Sequence, residues 1–197
     1  MTRKLYEQDA YIKEFTAKVL DCVKTDDGYK IVLDETAFFP EGGGQASDIG
    51  ILGDVSVYDV QINDGVIYHY TKNPIESGSV VCGKIDFDRR FNFMQNHTGE
   101  HIVSGLIHGK YGYHNVGFHM GSDAITLDIN GELTADQVRM IEIEANQAIE
   151  ANLPIVVQVP EREQYSPGHP SPAQRCRVPS NIRHLPLRQF PGQAARE

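Results

Sequence analysis

The chain has 197 residues, 40% hydrophobic and 23% charged, an ordinary globular balance that suits one large domain or two small ones. A net charge of −9 argues against unspecific binding along a nucleic-acid backbone, which Lys and Arg drive, but leaves room for contact with one end. No apolar run approaches the roughly 20 residues of a membrane span. No signal peptide is expected behind Met1-Thr2-Arg3-Lys4, and three scattered cysteines make no disulfide framework, so the expectation is a cytoplasmic protein with reduced thiols.

Residues 12–34 predict a β-hairpin. Phe15, Ala17 and Val19 alternate on the first strand, Tyr29 to Leu33 form the second, and Asp27-Gly28 marks the turn. Ile49 to Leu52, Val55 to Ile62 and Val66 to Tyr70 predict further strands, with Asp64-Gly65 as a second hairpin turn. Val80 to Phe87 is one more. Residues 1–88 therefore read as a small, mostly antiparallel β-domain.

At Asp88-Arg89-Arg90 the period changes, and a helix is expected over about 89–110. Strands follow at Val116 to Met120 and Ala124 to Ile129. Thr134-Ala135-Asp136-Gln137 is a capping box that opens a second helix, striped by Val138, Ile141, Ala145, Ala148 and Ile149. Asn152 and Pro154 end it, and Ile155 to Val159 predicts a last strand. Residues 89–164 thus read as an α+β domain with helices on one face of a sheet. In 165–197 six of the ten prolines stand between Pro167 and Pro191, five arginines occur, and apolar periodicity is lost. Such a tail is expected to be irregular.

Two stretches carry candidate chemistry. In Gln95-Asn96-His97-Thr98-Gly99-Glu100-His101, the histidines stand four apart, on one face of a helix. That is the spacing with which two imidazoles grip one metal ion, or simply two partly exposed histidines. Glu100 lies about 100° round the helix from them and is expected in solvent. The other stretch is Thr36-Ala37-Phe38-Phe39-Pro40-Glu41-Gly42-Gly43-Gly44-Gln45, followed by Asp48-Ile49-Gly50. Three glycines in a row mark either a flexible loop or a place where a ligand approaches the backbone closely. No Gly-Lys-Ser/Thr follows, which excludes a triphosphate loop. His108 and His114 are expected at the surface, and Cys22 and Cys82 as small buried residues on strands.

Together, in this order and spacing, the two stretches resemble the editing domain of alanyl-tRNA synthetase and its free-standing AlaX-type relatives. Val116-Gly117-Phe118-His119-Met120-Gly121 resembles the family segment that follows the histidine helix. The resemblance covers roughly residues 5–160. It implies an α+β fold class, with a small antiparallel β-barrel-like domain ahead of an α+β editing domain whose helices pack on an antiparallel sheet. It places the site between the two. It implies a deacylase that hydrolyses the ester between a wrong amino acid, serine or also glycine, and alanine tRNA. The partner would be the acceptor end of mischarged alanine tRNA, with no membrane and with oligomeric state left open.

The family's cofactor is Zn2+. The resemblance carries two of its ligands onto His97 and His101. The other two come from a Cys-x3-His segment near the carboxyl end, and here the chain departs. Cys176 is followed by Arg177-Val178-Pro179-Ser180, and the nearest later histidine is His184. Cys176 and His184 are the candidates for the remaining ligands. A reading frame shifted near Tyr165 is one account of the difference. By position in the family's motifs, Thr36, Gln45 and His119 are the candidate catalytic residues, with Thr36 contacting the serine hydroxyl. Phe39, Gly42, Gly43 and Gly44 are the candidate substrate-binding residues. His119 is alternatively an exposed strand histidine. Two other functions stay open: a non-catalytic remnant that binds aminoacyl-tRNA, and a small-ester metallohydrolase on the same fold.

Overall fold

A computed structural model describes residues 2–121 and 124–153 together with the backbone of Ile182–Arg183. Chain contacts divide it into two compact units, with the division after Met94. The sequence placed a change at 88, at the head of the helix that carries this division.

The first unit opens with β1 (Arg3–Lys4), β2 (Glu14–Thr25), β3 (Gly28–Leu33) and β4 (Glu35–Thr36). It continues with β5 (Gly50–Leu52), β6 (Val55–Asn63), β7 (Val66–Thr71) and β8 (Val80–Ile85). Six of these close into a barrel in the order β2-β3-β7-β6-β5-β8, with antiparallel neighbours throughout. Closure leaves no sheet edge to pair with another chain. The alternation read from the sequence is the inward face: Phe15, Ala17 and Val19 on β2, Ile31 and Leu33 on β3, Ile67 on β7, Ile85 on β8. On β6 the buried residues are Val57 and Val60, three apart rather than two. A register shift between Val57 and Asp59 supplies the extra residue that turns the strand over.

Both hairpin turns form, one of them displaced. Asp64 and Gly65 have φ of 49° and 79°, the two positive values of a type I′ turn. The first turn centres on Asp26-Asp27, and Gly28 pairs with Thr25 inside the ladder. Gly28 is needed there for space: a Cβ would stand 2.2 Å from the Thr71 carbonyl oxygen.

Helix α1 (Phe87–Tyr111) starts two residues earlier than expected. Asp86 caps it by accepting from the Arg89 N–H at 3.1 Å. Gly112, at φ 69°, closes it with a bond from its N–H to the His108 carbonyl. The second unit then adds β9 (Asn115–Met120), β10 (Ile125–Ile129), α2 (Ala135–Glu150) and β11 (Ile182–Arg183). The strands form an antiparallel sheet in the order β11-β10-β9. The predicted capping box is formed: Thr134 accepts from the Gln137 N–H and Gln137 accepts from the Thr134 N–H. Its core joins Val103 and Ile107 of α1, Leu127 and Ile129 of β10, and Ile141 and Ala145 of α2. The α+β class expected from the sequence is the class observed. Of the expected irregular tail, Ile182 and Arg183 are described, and they pair with β10. The expected strand at 155–159 lies outside the described residues. Cys22 is half-buried on β2, but Cys82 is exposed, because it falls on the outward position of β8 beside inward-facing Gly83.

Candidate functional site

Thr36 ends β4 and begins the glycine-rich stretch. Its side chain and those of Ala37 and Phe38 have no exposed surface. Phe39 is half-buried, with its ring edge-on to Tyr6 at 5.4 Å. The glycines then make a specific turn rather than a loose loop. Gly42 and Gln45 exchange both backbone bonds, at 3.1 and 3.0 Å. Between them Gly43 and Gly44 take φ of 60° and 79°. That is a two-residue type I′ connection, whose positive φ values are what glycine supplies without strain. Gln45 is buried and Glu41 is exposed.

A buried ion pair pins this stretch at both ends. Arg90, in the first turn of α1, is 3% exposed and Asp48 is 1% exposed. The Arg90 Nε donates to both Asp48 carboxylate oxygens at 2.9 Å, and a terminal nitrogen also reaches Asp48. Two further guanidinium hydrogens go to the Ala10 carbonyl at 3.0 Å and the Ala37 carbonyl at 2.6 Å. Asp48 in turn accepts from the Phe39 N–H at 2.7 Å, while its own N–H donates to the Phe39 carbonyl at 2.9 Å. The planar five-donor fork is what lets one side chain hold three chain segments. Sequence reasoning placed Asp48 in the motif and Arg90 at a helix start, with no sign that they meet.

His69 was missed altogether. It is fully buried on β7, on the inward face with Ile67 and Thr71. Its Nε2 lies 2.8 Å from the Thr36 hydroxyl and its Nδ1 lies 3.1 Å from the Ile31 carbonyl. Burial pushes its imidazole down to about 4, against a small upward pull from the Ile31 bond. The one signal in the sequence was a histidine in phase with two inward-facing neighbours.

In the second unit, the His97 and His101 rings are nearly parallel, 19° apart with centroids at 5.0 Å. His97 is half-buried and also meets the Phe118 ring at 5.5 Å, while His101 is exposed. Burial, reinforced by neighbouring His101, holds the His97 imidazole below its ordinary value. Glu100 corrects the expectation of a solvated carboxylate: its side chain is 2% exposed. Its side of α1 faces β9, so it accepts from Asn115 and Ser104, and it lies 3.2 Å from the His101 Nδ1. His119 alternates with Phe118 on β9 and is exposed. His108 and His114 are exposed, with rings 4.4 Å apart.

The stacked pair at i and i+4 suits two donors to one metal ion. Catalytic zinc takes three protein ligands and structural zinc four. Among the described residues no group of three or more His, Cys, Asp or Glu side chains is placed to hold a metal. The pair by itself falls short of either number, and Cys176 and His184 lie outside the described residues.

The profile of class II (A) tRNA synthetases matches residues 4–89. The chain is 34% identical over 165 residues to alanyl-tRNA editing protein AlaX-L of Pyrococcus horikoshii, covering 80% of this chain and 41% of that one. It is 34% identical over 168 residues to alanyl-tRNA editing protein Aarsd1 of Rattus norvegicus, covering 78% and 41%. Against an alanine–tRNA ligase of Pyrobaculum aerophilum it is 41% identical over 167 residues, covering 80% and 18%. The chain spans less than half the length of each of these relatives.

Proposed function

We propose, from the premise that this chain is a member of the alanyl-tRNA editing family, that it hydrolyses mischarged aminoacyl-tRNA in trans. The observation that carries the reading is 34% identity to editing proteins over most of the chain. The partner is the acceptor end of alanine tRNA bearing serine, and glycine as a second substrate. Contact with one end of a nucleic acid agrees with a chain of net charge −9.

The reaction is attack of water on the ester carbonyl. The bond from the carbonyl carbon to the ribose oxygen breaks, that oxygen takes a proton, and the free amino acid leaves. Thr36 meets the side-chain hydroxyl of the wrong amino acid. One hydrogen bond to that hydroxyl favours it over an analogue lacking it by about tenfold. Phe39 and the Gly42–Gly44 turn form the wall against the acyl group, held in place by Arg90 and Asp48. Gln45 shapes that turn or contacts substrate, and His119 adds a polar group. Zinc held by His97 and His101, with Cys176 and His184, would supply Lewis acidity for the attacking water.

Release of serine from mischarged alanine tRNA tests this, run beside a small seryl ester and with His97→Ala as control. Release from the tRNA and not from the small ester is expected, and His97→Ala is expected to reduce it at least 10²-fold, about the loss of a general acid–base or metal contribution. Zinc per mole of protein is expected near one, falling in His97→Ala. A second reading, a binding remnant without turnover, is favoured by the sequence after Cys176, where Ser180 stands in place of the histidine of a Cys-x3-His segment. Tight binding of mischarged tRNA with no serine release would establish that reading instead.

A further inference from the structure

The hydrogen bonds around Thr36 are fully assigned by chemistry. The Ile31 carbonyl can only accept, so the His69 Nδ1 facing it at 3.1 Å carries the proton. The fully buried ring is neutral, which leaves Nε2 as an acceptor. The Thr36 hydroxyl, 2.8 Å away, must therefore donate to it. The same oxygen accepts from the Phe38 N–H at 3.1 Å. Phe38 packs edge-on against the imidazole with centroids at 5.5 Å, and both are completely buried. Turning the ring over would present carbon to both partners.

A hydroxyl has one proton and two lone pairs. Here the proton is committed to His69 and one lone pair to Phe38. A single lone pair is left, and it can only accept. We infer that His69 is a positioning residue for specificity: it fixes the Thr36 hydroxyl as an acceptor, so that the site selects an acyl group whose side chain brings an O–H donor. Serine supplies that donor, whereas the methyl of alanine and the hydrogen of glycine do not. The inference rests on the proposed editing reaction with Thr36 at the acyl side chain. Thr36 is closed to solvent, so the acyl side chain must displace what covers it, and that opening is part of the inference.

Two experiments decide it. Long-range ¹⁵N–¹H NMR of the full chain at neutral pH is expected to show His69 as the neutral Nδ1–H tautomer. Adding 3′-serylamino-3′-deoxyadenosine is expected to shift the Nε2 resonance, and the alanyl and glycyl analogues are expected to leave it in place. An Nε2–H tautomer, or the same response to all three analogues, would overturn the inference. In the second experiment kcat/KM is compared for seryl- and glycyl-charged alanine tRNA. His69→Phe and Thr36→Val are expected to lower the seryl preference about tenfold, the worth of one hydrogen bond, with Thr36→Ser restoring most of it. A purely structural role would lower both substrates together and leave the ratio unchanged, which would also overturn it. Should the unmodified protein release no amino acid from any tRNA, the editing reaction is lost, and the tautomer and the analogue shifts still decide the role of His69.

Discussion

His69 sits where no water can hydrate a charge, and this makes it an acid sensor for the barrel. Its imidazole is held at about 4, below the ordinary 6.5. Between those values the unfolded chain binds a proton that the folded chain refuses. Stability is therefore level above pH ~6.5 and falls as pH drops toward ~4, by about 3 kcal/mol over the whole window. Urea unfolding at pH 7.5 and 4.5 measures it, and His69→Phe is expected to remove this part of the difference. Arg90 is the second decisive residue. Arg90→Ala leaves the Asp48 carboxylate buried and unpaired, at an expected cost of about 3–5 kcal/mol in denaturant unfolding. Arg90→Lys is expected to recover only part of it, because an ammonium cannot replace the bidentate fork. Neither residue stood out in the sequence, since a side chain's partner on a distant strand leaves no trace in local spacing. Thr36 did stand out, and so did His97 and His101, because their neighbours in sequence form recognisable motifs.

At the scale of elements, the glycine run has a conformational reason that the sequence alone left open between flexibility and ligand approach. Gly43 and Gly44 occupy the two positive-φ positions of a type I′ turn, the first of which also tolerates Asn. Gly43→Asn is expected to leave the melting temperature unchanged. Gly44→Val puts a β-branched residue at φ 79° and is expected to cost about 1–2 kcal/mol. Calorimetry on the two variants distinguishes a built turn from a loose loop, which would tolerate both. The capping box of α2 and the Asp64-Gly65 hairpin were legible because their signals span four residues or fewer. The displaced first turn was not: Asp27-Gly28 has the right letters, but Gly28 is set by the close Thr71 carbonyl of another strand. Glu100 was misplaced for the same reason, since only the packing of β9 against α1 decides which side of that helix is dry.

For the molecule as a whole, net charge bears on how the proposed tRNA partner would be held. A net charge of −9 disfavours extended contact with phosphates. Binding of mischarged tRNA is therefore expected to weaken no more than about tenfold between ~50 and ~200 mM salt, as for two phosphate contacts or fewer. Filter binding across that range checks it, and a steeper slope would mean a basic surface that the composition conceals. The chain alone determined the α+β class, the alternating strands, the capping box and the two motifs. These are local patterns, set by residues within a few positions of one another. The family resemblance already implied a barrel-like first domain, and only the tertiary structure decided the order in which its strands close, that Arg90 clamps Asp48, and that His69 meets Thr36. Each of those depends on residues brought together from 33 to 80 positions apart, where burial fixes protonation and partner.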